Sequence, residues 1–276
     1  MKKILLAAAF LSLLISSAAS AVDDFALQFD GTNDYIEIPD SDAWGFGTEN
    51  FCIEFWTKFS SVNSISGIMR QGTASPAFWQ LFWDTSNNGM IAFNAYDNNT
   101  YQADYYYRNF LPDIGEWYHM AVSRNGADLN LYINGVNTIW TDIVYSISSN
   151  PMPNVNDGLN IGIDSGGKYL SGSMDEVRIW DHERTQQELL DAMYSNLAGN
   201  EPGLTAYWDF NEGSGQIVND MSGNGHHGQI ICGDGEDPMW FLSDRPVIVT
   251  QIPEPATMVL LGIAGAMAAI AGRKLR

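Results

Sequence analysis

One carboxylate in the sequence lies on a strand face that should be apolar. The segment Gly172–Glu188 begins with the alternation of a β-strand, so Asp175 shares a face with Val177 and Ile179. The opposite face then carries Met174, Glu176, Arg178 and Trp180. A carboxylate on an apolar face needs a partner, because an isolated charge is costly to remove from water. An arginine, a set of backbone amides or a metal ion could each be that partner.

A second group of side chains with binding chemistry lies between Phe78 and Phe110, where aromatic residues are interspersed with asparagines and aspartates. Sugar rings stack on aromatic rings, while sugar hydroxyls pair with amides and carboxylates. At least one ring of Tyr105–Tyr107 must face away from its neighbours, so we expect exposed aromatic surface here. The alternative is that these rings fill a core between two sheets. The candidate carbohydrate-binding residues are Trp79, Trp83, Tyr96, Tyr101 and Tyr106.

The elements that must position these side chains are β-strands. Short alternating segments such as Phe25–Phe29 and Phe51–Phe59 are separated by turn signals. The pairs Asn125-Gly126 and Asn134-Gly135 favour tight turns. Only Thr185–Tyr194 predicts a helix, because Thr185 and the glutamate three residues later have the spacing of a capping box. We therefore expect an all-β fold, a sandwich or jelly roll with one short helix.

The two ends of the chain are expected to serve export and sorting. Residues 1–21 contain two lysines, then an apolar run, and end in small residues, as secretory signal peptides do. Residues 257–272 form a second apolar helix, slightly shorter than the roughly 20 residues of a membrane span. A basic cluster follows this stretch, as it does on the cytoplasmic side of membrane helices. Residues 22–250 remain as one domain, and residues 251–276 as a sorting or membrane segment.

The charge of the exported part is strongly negative. Between Val22 and Glu254 there are 33 acidic and 8 basic residues, a net charge of −25. Such a surface repels nucleic acid and anionic membranes, so we expect neither as a partner. It also offers many carboxylates to Ca²⁺.

The chain has two cysteines, Cys52 and Cys232. In the oxidising compartment that a signal peptide implies, an even number of cysteines predicts a disulfide. The alternative is two buried thiols. A zinc site is not expected, because the sequence contains no Cys-x-x-Cys pair.

Four segments combine strand and turn residues in a common order: Ala26–Asp40, Gly115–Val136, Gly172–Glu188 and Leu204–Ile230. Together they resemble the laminin G-like jelly rolls of the concanavalin A-like class. The resemblance implies a two-sheet antiparallel jelly-roll sandwich, an architecture that hosts lectins, adhesive modules, enzymes and structural proteins. It also implies a structural calcium held by Asp175 beside the Asp30-Gly31 turn. An ion pair of Asp175 is the alternative.

The C-terminal segment carries Pro253, Glu254 and Pro255 before the apolar stretch and its basic end. This order resembles the PEP-CTERM sorting tag. The resemblance implies transient membrane insertion of the tail, recognition by an exosortase-type enzyme in a Gram-negative bacterium, and delivery to the cell envelope, outer surface or extracellular matrix. A permanent single-span anchor is the alternative.

The sequence argues against catalysis. Retaining glycosidases need two carboxylates about 5–5.5 Å apart, but Asp175 and Glu176 are adjacent, and adjacent residues of a regular strand point to opposite faces. His119 lies in a strand without a partnered nucleophile. We expect a noncatalytic module for adhesion or binding of an extracellular polysaccharide or surface glycan. A glycoside hydrolase or lyase with an atypical site and a purely structural matrix protein are the alternatives.

Overall fold

The computed structural model describes residues 24–73, 76–98, 100–148, 150–233 and 239–247. Nearly all regular structure is β-strand, as the alternation predicts. The elements in chain order are β1 (Phe25–Asp30), β2 (Tyr35–Ile38), β3 (Phe51–Phe59), β4 (Ser66–Gln71), β5 (Ala77–Asp84), β6 (Met90–Asp97), β7 (Thr100–Arg108), β8 (Trp117–Asn125), β9 (Asp128–Ile133), β10 (Val136–Thr138), β11 (Asp142–Tyr145), β12 (Leu159–Ile161), β13 (Ser171–Trp180), α1 (Gln186–Ala192), β14 (Leu204–Trp208), β15 (Ile217–Val218), β16 (Gly228–Ile231) and β17 (Met239–Leu242).

The strands form two antiparallel sheets. The first, sheet A, has the order β10-β9-β8-β3-β13-β1-β17, with β14 paired to the other end of β13. The second, sheet B, has the order β11-β7-β6-β5-β4-β12-β2-β16-β15. The predicted two-sheet antiparallel sandwich of the concanavalin A-like class is confirmed.

The hydrophobic core lies between the two sheets and follows the strand alternation. In β5, Trp79, Leu81 and Trp83 are buried in this core. Their neighbours Phe78, Gln80 and Phe82 therefore point to the outer face of sheet B. The indole N–H of Trp79 donates to the Trp44 carbonyl at 3.0 Å, so this ring fills the core without an unpaired donor.

Local sequence signals set the turns and the helix. The Asn125-Gly126 turn joins β8 to β9, and Asn134-Gly135 joins β9 to β10 with both residues at positive φ. The Thr185 hydroxyl accepts from the Glu188 amide, and the Glu188 carboxylate accepts from the Thr185 amide, which confirms the predicted capping box. The helix ends at Ala192, two residues before its predicted end.

A β-bulge in β13 overturns the predicted facing of its side chains. Glu176 has φ +53°, and the register against β3 shifts between Asp175 and Arg178. The extra residue changes the phase of the alternation. Met174 and Val177 therefore face the core, while Asp175 and Glu176 both face outward from sheet A. The prediction that Asp175 shares a face with Val177 was wrong for this reason.

The predicted disulfide is not formed. Cys52 is buried on the outer side of sheet A in a cluster with Trp180 and Leu189. Cys232 follows β16 of sheet B and packs against the main core, in a different cluster.

The predicted signal peptide and the sorting motif Pro253, Glu254 and Pro255 lie outside the described residues. Among the residues that the structure does describe, no helix combines the length and hydrophobicity needed to span a membrane.

Candidate functional site

The outer face of sheet A carries a group of buried charges centred on Arg245. The guanidinium of Arg245 contacts Asp175 at 2.8 Å, Asp24 at 3.2 Å and Glu176 at 3.4 Å. Asp175 also accepts a hydrogen bond from the Ser243 hydroxyl at 2.7 Å. Asp175 and Glu176 are almost fully buried, and a buried carboxylate needs a partner. For Asp175 that partner is Arg245.

The charged group continues along the sheet through Arg178. This side chain pairs with Glu176 and lies 3.8 Å from Glu54, which also accepts hydrogen bonds from His119 and Trp180. Burial alone would raise the pKa of Glu54, but the His119 hydrogen bond and the Arg178 charge outweigh it and lower the pKa to about 2. Glu54 is therefore ionised at neutral pH.

The helix α1 and the chain after it cover these charges. Leu189 packs with Trp180 and Tyr207, and the Met193 carbonyl accepts from the Trp56 indole at 2.8 Å. The carboxylates of Asp24, Asp175 and Glu176 lie within 4.8 Å of one another, as ligands of a cation could. Arg245 contacts all three carboxylates, and Asp175 and Glu176 are almost fully buried beneath this cover. These contacts join β13 to the segments that contain Asp24 and Arg245.

The predicted calcium residues do not come together. Asp30 pairs with Ser171 in the β1–β13 register, so Asp175 lies four residues further along the strand, about 13 Å away. The Asp30 carboxylate instead accepts from the amides of Thr32 and Asn33 in the turn that contains Gly31. The prediction that Asp30, Gly31 and Asp175 form one site was therefore wrong, because their strands place them too far apart.

The outer face of sheet B carries a continuous line of partly exposed aromatic rings. We call Phe78, Tyr96, Tyr101 and Tyr145 the aromatic ribbon. Its ring centroids are 5.7 Å apart for Phe78 and Tyr96, 5.0 Å for Tyr96 and Tyr101, and 5.4 Å for Tyr101 and Tyr145. The ribbon crosses β5, β6, β7 and β11, a distance of about 14 Å. Tyr101 is 37% exposed and Tyr145 is 47% exposed.

A line of polar side chains runs beside the ribbon. We define the polar row as Asp104, Asn94, Gln80, Arg70 and Asn160, which are cross-strand partners on five neighbouring strands. Asn94 donates to Asp104, Gln80 donates to Asn94 at 3.3 Å, and Arg70 donates to Asn160 at 3.0 Å. The row is thus an ordered set of amides, a carboxylate and a guanidinium next to exposed rings.

Asp104 is the carboxylate of the polar row. Burial raises its pKa above the ordinary aspartate value, and the hydrogen bond with Tyr106 opposes this rise. Tyr106 lies two residues further along β7, on the other side of the row from Tyr101. The polar row is therefore recessed between aromatic side chains, an arrangement that suits recognition of a sugar ring and its hydroxyls.

The structure divides the predicted carbohydrate-binding residues into two groups. Trp79 and Trp83 are fully buried in the core, so their prediction as stacking surfaces was wrong. Tyr96, Tyr101 and Tyr106 lie on the outer face of sheet B. Alternation shows which residues of a strand share a face, but not which face meets the other sheet.

Among the residues of this surface that sequence reasoning missed are Phe78, Gln80, Asp104 and Tyr145. The first two alternate with Trp79, so they follow as soon as the buried face of β5 is known. Tyr145 lies on β11, whose pairing with β7 is set only by the folded register. No local signal in the sequence joins Tyr145 to Tyr101.

The fold agrees with the comparisons with known proteins. Residues 30–190 match the sequence profile of the concanavalin A-like lectin/glucanases superfamily. The chain belongs to this superfamily. Residues 251–276 match the PEP-CTERM protein-sorting motif, which marks a secreted, envelope-directed protein of Gram-negative bacteria. No curated protein matches the sequence.

Solved structures share the fold at low sequence identity. A proposed carbohydrate-binding protein from Bacteroides ovatus has a TM-score of 0.60 at 20% identity, covering 82% of this chain and 61% of its own. This chain thus spans about three fifths of that protein. Domain 4 of the arabinanase AbnA from Geobacillus stearothermophilus, solved with arabinotriose, has a TM-score of 0.45 at 17% identity, covering 60% of this chain and 75% of its own.

Proposed function

We propose that this protein is a noncatalytic carbohydrate-binding module of the bacterial envelope, with the aromatic ribbon and the polar row as its binding surface. The observation that carries the proposal is the ribbon itself, four neighbouring rings on the outer face of sheet B, of which Tyr101 and Tyr145 are exposed. Large aromatic residues that remain exposed beside ordered polar groups are typical of binding surfaces. The Bacteroides ovatus structure, itself a proposed carbohydrate-binding protein, has the same fold and supports this function.

The absence of catalysis in this proposal is supported by the burial of the clustered acids. Glycosidases need two carboxylates that both reach the glycosidic bond. In this protein Asp24, Asp175 and Glu176 come together, but all three contact the guanidinium of Arg245, and Asp175 and Glu176 are almost fully buried. On the outer face of sheet B, Asp104 is bonded to Asn94 and Tyr106, in keeping with a role in binding.

The sorting motif supports the location and one partner. An exosortase-type enzyme would process the tail after transient insertion of residues 257–272 in the membrane. The processed domain would then lie at the outer surface or in the extracellular matrix, where polysaccharide is the abundant partner. Adhesion to that polymer would be its role, and the net charge of −25 between Val22 and Glu254 would keep it soluble there.

The test is a glycan array probed with the full chain, purified in mild detergent. We expect binding that is lost in Tyr101→Ala and in Tyr145→Ala. The matched control is Tyr194→Ala, which removes a half-buried tyrosine that packs against Trp56 on the other sheet. Absence of binding to every glycan would overturn the proposal and favour a purely structural matrix protein.

A further inference from the structure

We infer that the ligand of the aromatic ribbon is a single, soluble, uncharged polysaccharide chain, and neither a crystalline polysaccharide surface nor a polyanion. The inference rests on the proposed function and specifies the class of carbohydrate. Three observations carry it: the angles between the rings, the burial of the polar row, and the contacts that Arg70 and Arg108 already make within the protein.

The rings of the ribbon do not lie in one plane. The Phe78 and Tyr96 rings are inclined by 23°, and the Tyr101 and Tyr145 rings by 14°. Between these two pairs, the Tyr96 and Tyr101 rings meet at 73°. The rings within each pair stack on each other and the two pairs meet at a steep angle, so the ribbon presents no flat platform on which a crystalline surface could lie. A single chain can change direction between sugar units and contact both pairs.

The polar row adds a second reason against a flat ligand. Gln80, Asn94 and Asp104 are each less than 9% exposed, so their polar atoms lie below the tips of the exposed rings. A rigid sheet of chains resting on the rings would not reach them. The hydroxyl groups of a single chain that follows the surface can.

The charges of this face favour an uncharged ligand. Arg108 pairs with Asp142 and lies over the Tyr106 ring, and Arg70 donates to Asn160 and to the Asp164 carbonyl. Both cations are therefore already engaged by the protein. The Asp104 carboxylate and the strongly negative net charge would repel a polyanion.

The experiment measures binding of the full chain to three classes of probe. The soluble uncharged probes are mixed-linkage β-glucan, galactomannan and arabinan, tested by retardation in native gels. The crystalline probes are microcrystalline cellulose and chitin, tested by co-sedimentation. The anionic probes are alginate and polygalacturonate. We expect retardation by at least one soluble uncharged probe and no binding to the other two classes.

Two double variants test whether both ring pairs are used. One is Phe78→Ala with Tyr96→Ala, and the other is Tyr101→Ala with Tyr145→Ala. We expect each to weaken binding by about tenfold or more, while Tyr194→Ala leaves it unchanged. Urea unfolding of each variant shows that the loss is not caused by misfolding.

The possible failures are distinguishable. Binding to cellulose or chitin would overturn the inference and leave the proposed function intact. Stronger binding to alginate or polygalacturonate would do the same. No binding to any probe would overturn the proposed function and, with it, the inference.

Discussion

The outer faces of the two sheets are built from the same kinds of side chain but differ in what covers them. On sheet A, tryptophans and charged residues lie beneath α1 and the residues around Arg245, and Arg245, Arg178 and Glu54 are almost fully buried. On sheet B, the aromatic ribbon remains in part exposed, and the loop at Ser165 covers only one end of the polar row.

The comparison shows that a charged residue has a different role when other parts of the chain cover it. A buried charge must be paired, and the paired network on sheet A then holds distant parts of the chain together, from Asp24 to Arg245. A polar group beside an open surface can instead exchange water for a ligand. We therefore assign stability to the outer face of sheet A and recognition to the outer face of sheet B.

The largest effect is expected when the central cation of sheet A is removed. Arg245→Met leaves Asp175 buried without a cation and removes one of the two arginines that contact Glu176, so we expect the free energy of unfolding to fall by about 3–5 kcal/mol. Urea unfolding followed by tryptophan fluorescence measures this loss. Lys58→Met is the matched control, because the Lys58–Asp244 pair is largely solvent-exposed on the Asp244 side and should contribute about 1 kcal/mol or less. Equal effects of the two substitutions would contradict the assignment of stability to the buried network.

A slightly smaller effect is expected from Glu54, and it depends on pH. The pKa of Glu54 is about 2 in the folded protein against 4.5 for an unperturbed glutamate. A lowered pKa stabilises the fold above pH 4.5 by about 3 kcal/mol, and this contribution disappears as the pH falls through about 2.

Urea unfolding of the wild type and Glu54→Gln at pH 7, 4 and 2.5 measures this dependence. We expect the difference between the two proteins to be largest at pH 7 and to shrink as the pH falls. A difference that stays constant over this range would show that the Glu54 charge does not contribute.

Substitution of Asp104 is expected to weaken glycan binding without lowering stability. Its raised pKa means that the ionised form costs stability at neutral pH, so Asp104→Asn should leave the free energy of unfolding unchanged or higher. The same substitution should weaken glycan binding several-fold, about 1 kcal/mol, because a charged acceptor is lost. Wild-type binding should weaken on acidification at a higher pH than an ordinary aspartate would give. Calorimetric titration from pH 7 to pH 4 measures the affinity of the variant and the pH dependence of the wild-type affinity. An unchanged affinity in Asp104→Asn would show that Asp104 is not part of the binding site.

The smallest effect is expected from metal removal. Asp24, Asp175 and Glu176 already contact the guanidinium of Arg245 in the place where a cation would bind, so EDTA should shift the Tm of the wild type by no more than about 1 °C. The control is the same scan with added Ca²⁺. A large rise of Tm in Ca²⁺ would show that a metal site contributes to stability after all.

Local signals predicted the fold well. The alternation of the strands, the Asn-Gly turns and the capping box of Thr185 and Glu188 each depend on residues close in sequence, and each is confirmed. The predicted orientation of the Asp175 side chain was wrong because of the bulge at Glu176. This bulge requires a positive φ, which glutamate rarely adopts. The Arg245 partner is 70 residues away, beyond the reach of any local pattern.

The candidate site was predicted in part. The region from Phe78 to Phe110 does contain three of the four ribbon rings, but Trp79 and Trp83 belong to the core. Polarity of the neighbours does not separate the two faces of β5, because both faces carry large aromatic rings. Tyr145 joins the ribbon only through the β7–β11 register.

The central claim is that the open face of sheet B recognises carbohydrate without contributing to the stability that the covered face of sheet A supplies. The most direct test measures the affinity of the Tyr101→Ala, Tyr145→Ala double variant for the glycan that the wild type binds, together with its urea midpoint. We predict an affinity loss of about tenfold or more, about 1.4 kcal/mol, at an unchanged midpoint. Unchanged affinity, or a loss that appears only with a lowered midpoint, would contradict the claim.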